Sequence, residues 1–218
     1  MNKLPTILLT GFDPFGGESI NPSWEAVRAL HGRRIAGHRV EARLLPTAFA
    51  GSLRALKTAI REVDPAIMLG VGQAGGRNRL SIECVAINLQ DARIPDNIGA
   101  QPVDEPVIAG APAAYFSTLP IKSMLAALLA GGLPAEISYS AGTYVCNHVA
   151  YAMLHLAAKR RRSTRAGFIH IPYLPVQAAP LPHASSMTLD DMVRGLTIAL
   201  RAAAQTKVDR RLGAGTLD

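Results

Sequence analysis

The stretch TILLTGFDPFGGESINPSWEAVRAL, residues 6–30, contains the pattern that decides the fold. Residues 6–9 are a short aliphatic run stopped by Gly11, which is typical of a strand buried on both faces. Residues 22–30 have a helical pattern, with Asn21 as a candidate N-cap and Pro22 at the first helical position. A buried strand followed by a helix favours a sheet that is covered by helices.

The same alternation continues along the chain. Short apolar runs predict further strands at residues 39–45, 66–71, 80–88, 137–140 and 167–171. Apolar positions at helical spacing predict helices at residues 49–63, 120–129, 146–159 and 188–204. We therefore predict an α/β fold, a single-domain three-layer α/β/α sandwich around a mixed, mostly parallel, twisted sheet.

No internal repeat or break in composition divides the chain, so one domain is predicted over residues 1–208. Residues 209–218 are predicted to form a flexible C-terminal tail. Residues 94–118 contain four prolines and two glycines without a clear period. This range is long for a structureless connection and is a candidate functional loop that could close over a ligand.

Composition narrows the class of protein. Of 218 residues, 49% are apolar and 18% are charged, which is ordinary for a globular chain. The net charge of +7 is concentrated in residues 159–162 and 207–211, and we interpret these runs as solvated because no aromatic residues interleave with them. Two cysteines are too few for a disulfide framework, and no apolar run is long enough to span a membrane. We expect a cytoplasmic protein with no membrane or nucleic-acid partner.

Cys146 is a candidate nucleophile because it begins a helical pattern. A thiol at a helix N-terminus faces unpaired N–H groups, which should lower its pKa, and the same groups could hold an oxyanion. A buried, inert cysteine is the alternative.

A cysteine nucleophile needs a base, and His170 ends a predicted strand, where α/β sheets bind their ligands. His148 and His155 follow Cys146 on the same helix and are expected to be at the surface or partly buried. Glu83 is a charge in a predicted strand whose other face is apolar, so we expect it to have a cationic or imidazole partner. The alternative is an edge strand that leaves Glu83 in water.

Two glycine-rich loops follow predicted strands. GFDPFGG, residues 11–17, lacks the spacing of a phosphate-binding loop but places Phe12 and Phe15 where they could form a small apolar pocket. The second loop, residues 72–77, carries Gln73, whose amide could pair with another amide. No cluster has metal-ligand spacing, so no metal is expected.

The chain resembles the pyroglutamyl peptidase I family, also called pyrrolidone carboxyl peptidase, over about residues 6–205. The resemblance rests on four motifs in order: GFDPFGG (11–17) with NPS (21–23), the stretch 72–88, SAGTYVCN (140–147) and FIHIP (168–172). It implies a catalytic domain with a triad of Glu83, Cys146 and His170, and a thioester intermediate. It also implies no cofactor, a homotetramer, and peptides with N-terminal pyroglutamate as substrates.

The resemblance further implies a pocket for the pyroglutamyl ring. The implied pocket residues are Phe12, Phe15, Thr47, Ile94, Tyr144 and Val145. Gln73 would recognise the lactam, and Arg93 would lie near the reacting carbonyl. Two positions depart from the family: Cys84 stands where a basic residue is usual, and Tyr144 where phenylalanine is common.

Two other functions remain open on the sequence. A nucleoside phosphorylase shares a similar architecture and would use the glycine-rich loops for phosphate. A basic nucleic-acid-binding or protein-binding domain would use the net positive charge. Neither function would need Cys146.

Overall fold

The computed structural model describes residues 4–160 and 163–215. The strands of this part are β1 (Thr6–Phe12), β2 (Arg34–Ile35), β3 (His38–Leu45), β4 (Ile67–Gln73), β5 (Leu80–Glu83), β6 (Val85–Ile87), β7 (Ala114–Phe116), β8 (Ala135–Ser138) and β9 (Arg165–Ile171). The helices are α1 (Pro22–Arg28), α2 (Phe49–Val63), α3 (Ile121–Ala130), α4 (Val145–Lys159), α5 (Pro175–Ala178) and α6 (Leu189–Gln205).

Seven of the strands form one sheet in the order β2-β3-β1-β4-β9-β5-β8. The neighbours β3, β1, β4 and β9 are parallel, and so are β5 and β8. The antiparallel pairs are β2 with β3 and β5 with β9. The predicted mixed, mostly parallel sheet is confirmed.

Helices cover both faces of this sheet. On β1, Ile7 and Leu9 belong to the core under α1, α3 and α6, whereas Leu8 between them belongs to the core under α2 and α4. All three side chains are fully buried, and each such burial stabilises the fold by roughly 1.5–3 kcal/mol. The predicted three-layer α/β/α sandwich is therefore also confirmed.

The predicted strand at 80–88 is wrong in one respect, because Cys84 divides it. The Cys84 N–H donates to the Ser138 carbonyl at 2.7 Å, and the Cys84 carbonyl accepts from the Ser117 N–H at 2.8 Å. The chain thereby leaves the main sheet, and β6 pairs with β7 in a separate two-stranded ribbon. Because the N–H and the carbonyl of Cys84 bond to different segments of the chain, Cys84 does not continue the ladder between β5 and β8.

Smaller differences concern the connections. The predicted loop 94–118 contains β7 near its end, and the strand predicted at 137–140 lies two residues earlier, in β8. Near the C-terminus, the carboxylate of Asp209 accepts hydrogen bonds from the N–H groups of Lys122 and Ser123 in the first turn of α3. Within the described part of the chain, no helix has the length and apolar character that crossing a membrane requires.

Candidate active site

Glu83 and His170 meet on neighbouring strands. In the antiparallel register of β5 and β9, Ser81 lies opposite His170 and Glu83 opposite Phe168. The Glu83 Oε1 and the His170 Nδ1 are 2.7 Å apart, and both side chains are buried. A carboxylate only accepts hydrogen bonds, so Nδ1 carries the proton and donates it. The alternative of an edge strand with Glu83 in water is excluded, since β5 lies between β9 and β8 and Glu83 is only 2% exposed.

Cys146 lies in the first turn of α4, on the same face of the sheet. Gly72 is the register partner of His170 on β4, and a Cβ atom at Gly72 would lie 2.7 Å from the Cys146 Sγ. Glycine at this position therefore leaves the space that the thiol occupies beside His170. The structure brings Glu83, Cys146 and His170 together at one end of the sheet.

The thiol of Cys146 has a higher pKa than the sequence led us to expect. Its pKa is raised to about 12, first because burial disfavours the thiolate and second because the Glu83 carboxylate repels it. Arg77 acts in the opposite direction without compensating. This direction is opposite to the expectation of a lowered pKa, because desolvation is the largest influence on the thiol. The thiol keeps its proton near neutral pH and needs a base.

Arg77 is a charged residue at this site to which the sequence analysis assigned no role. Its Nη1 donates to the Glu83 Oε1 at 2.8 Å, and its Nη2 donates to the Ser140 carbonyl at 3.1 Å. The sequence contained a pattern that could have identified Arg77. A buried carboxylate needs a compensating cation, and Arg77 is the last residue of the glycine-rich loop that precedes the strand of Glu83.

Aromatic residues form a group beside the thiol. The ring centroids of Tyr144 and Phe15 are 6.1 Å apart, and those of Tyr144 and Phe49 are 5.5 Å apart. Phe12 ends β1 and packs on Phe168 in the core, and Val145 is also fully buried. The structure thus brings Phe15 and Tyr144 together at the surface of the site, while Phe12 and Val145 lie beneath it.

Residues 95–100 are fastened to this aromatic group. The Tyr144 hydroxyl donates to the Pro95 carbonyl at 3.1 Å. The Asp96 Oδ2 accepts from the Phe49 N–H at 2.9 Å, and its Oδ1 accepts from the N–H groups of Ile98 and Ala100. We name residues 95–100 the strap.

The other residues implied for the pocket have different settings. Thr47 is buried, and its hydroxyl donates to the Asp13 carbonyl. Gln73 is half-buried at the end of β4, and its Oε1 accepts from the Gln177 Nε2 at 3.2 Å. Arg93 and Ile94 are exposed just before the strap. Gln177 and Phe49 are further residues of this region that the sequence analysis missed, since each lay in a pattern that indicated only a helix or a loop.

His148 departs from the expectation of an exposed or partly buried side chain. It is 4% exposed, and its ring packs edge-on against Phe49 with centroids 5.5 Å apart. Burial lowers the pKa of His148 to about 4. His148 is one helical turn after Tyr144, and both rings make an edge contact with the ring of Phe49. His155 is partly buried, as expected.

No group of three or more histidine, cysteine or acidic side chains suited to a metal ion occurs in residues 4–160 and 163–215. What the site does contain is a thiol, an imidazole, a carboxylate and a guanidinium beside an aromatic surface. This set is suited to nucleophilic attack on a carbonyl without a metal.

Comparisons with known proteins agree on one family. A family model described as pyroglutamyl peptidase matches residues 5–206. The pyrrolidone-carboxylate peptidase of Chromobacterium violaceum is 53% identical over 98% of this chain and 100% of its own length. That of Erwinia tasmaniensis is 54% identical over 96% of this chain and 97% of its own.

Solved structures agree as well. Pyroglutamyl peptidase I from Bacillus amyloliquefaciens superposes with a TM-score of 0.94 at 46% identity, covering 97% of this chain and 100% of that one. The pyrrolidone carboxyl peptidase from Thermococcus litoralis superposes with a TM-score of 0.89 at 37% identity, covering 92% of this chain and 93% of that one.

Proposed function

The chain belongs to the pyroglutamyl peptidase family and is a cysteine exopeptidase; we propose that it removes N-terminal pyroglutamate with Cys146 as nucleophile, His170 as base and Glu83 as orienting carboxylate. The observation that carries the proposal is the 2.7 Å hydrogen bond from the His170 Nδ1 to Glu83. It commits Nδ1 to the carboxylate and leaves Nε2 to exchange a proton with the thiol.

Acylation of Cys146 starts from the protonated thiol. As the Cys146 Sγ attacks the carbonyl carbon of the pyroglutamyl residue, the His170 Nε2 takes the thiol proton. The first-turn N–H groups of α4 have no partner within the helix and hold the oxyanion, with Arg93 nearby. The intermediate collapses, the C–N bond breaks, and the leaving amine takes the proton from Nε2. A thioester of pyroglutamate with Cys146 remains.

Deacylation reverses the proton path. His170 accepts a proton from water as the water oxygen attacks the thioester carbonyl, and the C–S bond breaks. Pyroglutamate leaves, and the proton on Nε2 returns to the sulfur. Glu83 stabilises the imidazolium in both steps, because a buried cation without a partner is costly.

Selection of the substrate is assigned to the aromatic surface and its surroundings. The lactam ring would lie against Phe15 and Tyr144, with Phe12, Thr47, Ile94 and Val145 as further pocket residues. Gln73 would pair with the lactam amide. An ordinary N-terminus carries an ammonium group, and moving it from water into an apolar pocket costs several kcal/mol, so it would be rejected.

The oligomeric state, location and domain bounds of the enzyme are part of the same proposal. We propose a homotetramer in the cytoplasm, with residues 1–208 as the catalytic domain and residues 209–218 as a tail beyond it. The substrates are peptides with N-terminal pyroglutamate, and no cofactor takes part. Nucleoside phosphorylase and nucleic-acid-binding or protein-binding functions gain no support, since the matches over nearly the full length are to peptidases.

The test is release of a fluorescent amine from a pyroglutamyl amide, with a prolyl amide as specificity control. The assay uses Cys84→Ser protein, so that iodoacetamide reports on Cys146 alone. We expect selective release that iodoacetamide abolishes and that Cys146→Ser reduces by about 1,000-fold or more. Release that survives both treatments would exclude the proposed mechanism.

A further inference from the structure

We propose that Arg77 is a positioning residue of this site, which holds the Glu83 carboxylate toward His170 and ties it to the loop that leads into Cys146. The inference rests on the proposed triad. Arg77 lies in the loop between β4 and β5 and would touch neither the substrate nor the reacting atoms. It would act through Glu83 and through residues 139–144, the loop between β8 and α4.

Two neighbouring side chains hold the Glu83 carboxylate in place. The Glu83 Oε1 accepts two hydrogen bonds, one from the His170 Nδ1 at 2.7 Å and one from the Arg77 Nη1 at 2.8 Å. The Oε2 is buried and has no hydrogen-bond partner among the described residues. The carboxylate is therefore held through one oxygen, to which the imidazole and the guanidinium both donate.

The positive charge of Arg77 compensates the negative charge of Glu83. The Glu83 side chain is 2% exposed, whereas that of Arg77 is 29% exposed. When His170 is neutral, the guanidinium is the cation that compensates the buried carboxylate. Without it, the buried carboxylate would lack a compensating cation and would favour a rearrangement that takes it away from the imidazole N–H.

The guanidinium of Arg77 also makes a second contact, through its Nη2. The Arg77 Nη2 donates to the Ser140 carbonyl at 3.1 Å, and Ser140 lies six residues before Cys146 in the loop that leads into α4. One planar group thus spans the orienting carboxylate and the loop that delivers the nucleophile. A lysine could supply the charge, but it lacks the fork that makes both contacts at fixed geometry.

The electrostatic consequence is measurable at the thiol. Arg77 lowers the pKa of Cys146 while burial and Glu83 raise it. Glu83 on β5 and Arg77 on its loop are charged groups that act on the thiol, and Tyr144 before α4 and His170, the register partner of Gly72, are titratable groups near it. Removing the guanidinium alone should move alkylation of Cys146 to higher pH.

The experiment compares Arg77→Met, Arg77→Lys and the control Arg79→Met, all in Cys84→Ser protein. Arg79 is an exposed arginine two residues along, 3.6 Å from Glu136. We measure kcat and KM on the pyroglutamyl amide, and the pH dependence of inactivation by iodoacetamide. For Arg77→Met we expect a fall in kcat of about 10- to 100-fold with KM within about twofold, and alkylation displaced to higher pH. Arg77→Lys should restore the alkylation profile more than it restores kcat, and Arg79→Met should match the parent protein.

Glu83→Gln in the same background separates this inference from the triad on which it rests. If Glu83→Gln loses activity while Arg77→Met keeps kcat within about twofold and an unchanged alkylation profile, the role of Arg77 is overturned and the triad stands. If Glu83→Gln is fully active, the triad fails and the inference fails with it. Should Arg77→Met not fold, Arg77→Lys decides, and a kcat equal to that of the parent protein would overturn the fixed two-contact geometry.

Discussion

The catalytic side of the site lies on strands and the first turn of a helix, whereas the exposed part of the pocket side, with Phe15 and Tyr144, lies on loops that side chains hold together. Glu83 and His170 are placed by the register of β5 and β9, and Cys146 by the packing of α4 over Gly72. Tyr144 is instead bound to the strap through the Pro95 carbonyl, and Asn97 of the strap donates to the carbonyl of Pro14, the residue before Phe15. We infer that the chemistry is held rigidly and that recognition is adjustable, since surface loops open at lower free energy than a sheet.

The largest expected effect breaks the catalytic side. His170→Asn keeps a side chain able to bond Glu83 but has no second ring nitrogen to exchange a proton with the thiol. We expect kcat to fall by about 1,000-fold or more, with little change in KM. Steady-state kinetics on the pyroglutamyl amide give both values. A loss below about tenfold would mean that another group is the base.

The second prediction concerns the stability of the fold and involves His148, in contrast to the catalytic prediction for His170. Because the pKa of buried His148 is about 4 in the folded chain, it stays neutral there while the unfolded chain takes up a proton below about pH 6.5. The stability that is linked to the neutral His148 ring is fully present above about pH 6.5 and is lost as the pH falls to about 4. The loss is on the order of 3 kcal/mol.

His148→Phe keeps a ring against Phe49 and removes the titration. Denaturant unfolding at about pH 7 and about pH 4.5 should show a smaller loss of stability in the variant than in the parent protein. Equal losses in the two proteins would show that His148 does not carry this pH dependence.

The third prediction loosens the pocket side. Asp96→Asn keeps one acceptor oxygen, so it cannot serve both the Phe49 N–H and the strap N–H groups, and it removes a negative charge from the N-terminus of α2. We expect KM to rise about tenfold with kcat within about threefold. The matched control is Asp91→Asn, an exposed position whose contacts are made by the backbone. A fall in kcat with constant KM would reverse the assignment of roles to the two sides.

The smallest expected effect sharpens the same comparison. Tyr144→Phe removes the hydroxyl that donates to the Pro95 carbonyl but keeps the ring contacts with Phe15 and Phe49. One hydrogen bond contributes about 0.5–1.5 kcal/mol, so KM should rise about two- to tenfold, and by less than in Asp96→Asn. An effect larger than that of Asp96→Asn would make the hydroxyl, and not Asp96, the main restraint on the strap.

Much of the site was predictable because its residues sit at element ends. Cys146 at a helix start and His170 at a strand end follow from local pattern, and Glu83 from a charge on an otherwise apolar strand. The pKa of Cys146 was not predictable, since the helix N-terminus is a local feature whereas desolvation depends on what packs over the thiol. The same holds for His148, which was expected at the surface or partly buried, whereas Phe49 from another helix packs against its buried ring.

The sequence by itself determined the layers of the fold, because period-two and period-3.6 patterns are written along the chain. It also determined the family, because four separated motifs occur in order. Only the tertiary structure decided that Cys84 ends a strand, that Arg77 reaches both Glu83 and Ser140, and that the strap lies on Tyr144. These are contacts between residues distant in sequence or bound to different neighbours, and no local pattern encodes which partner a peptide group or a guanidinium will find.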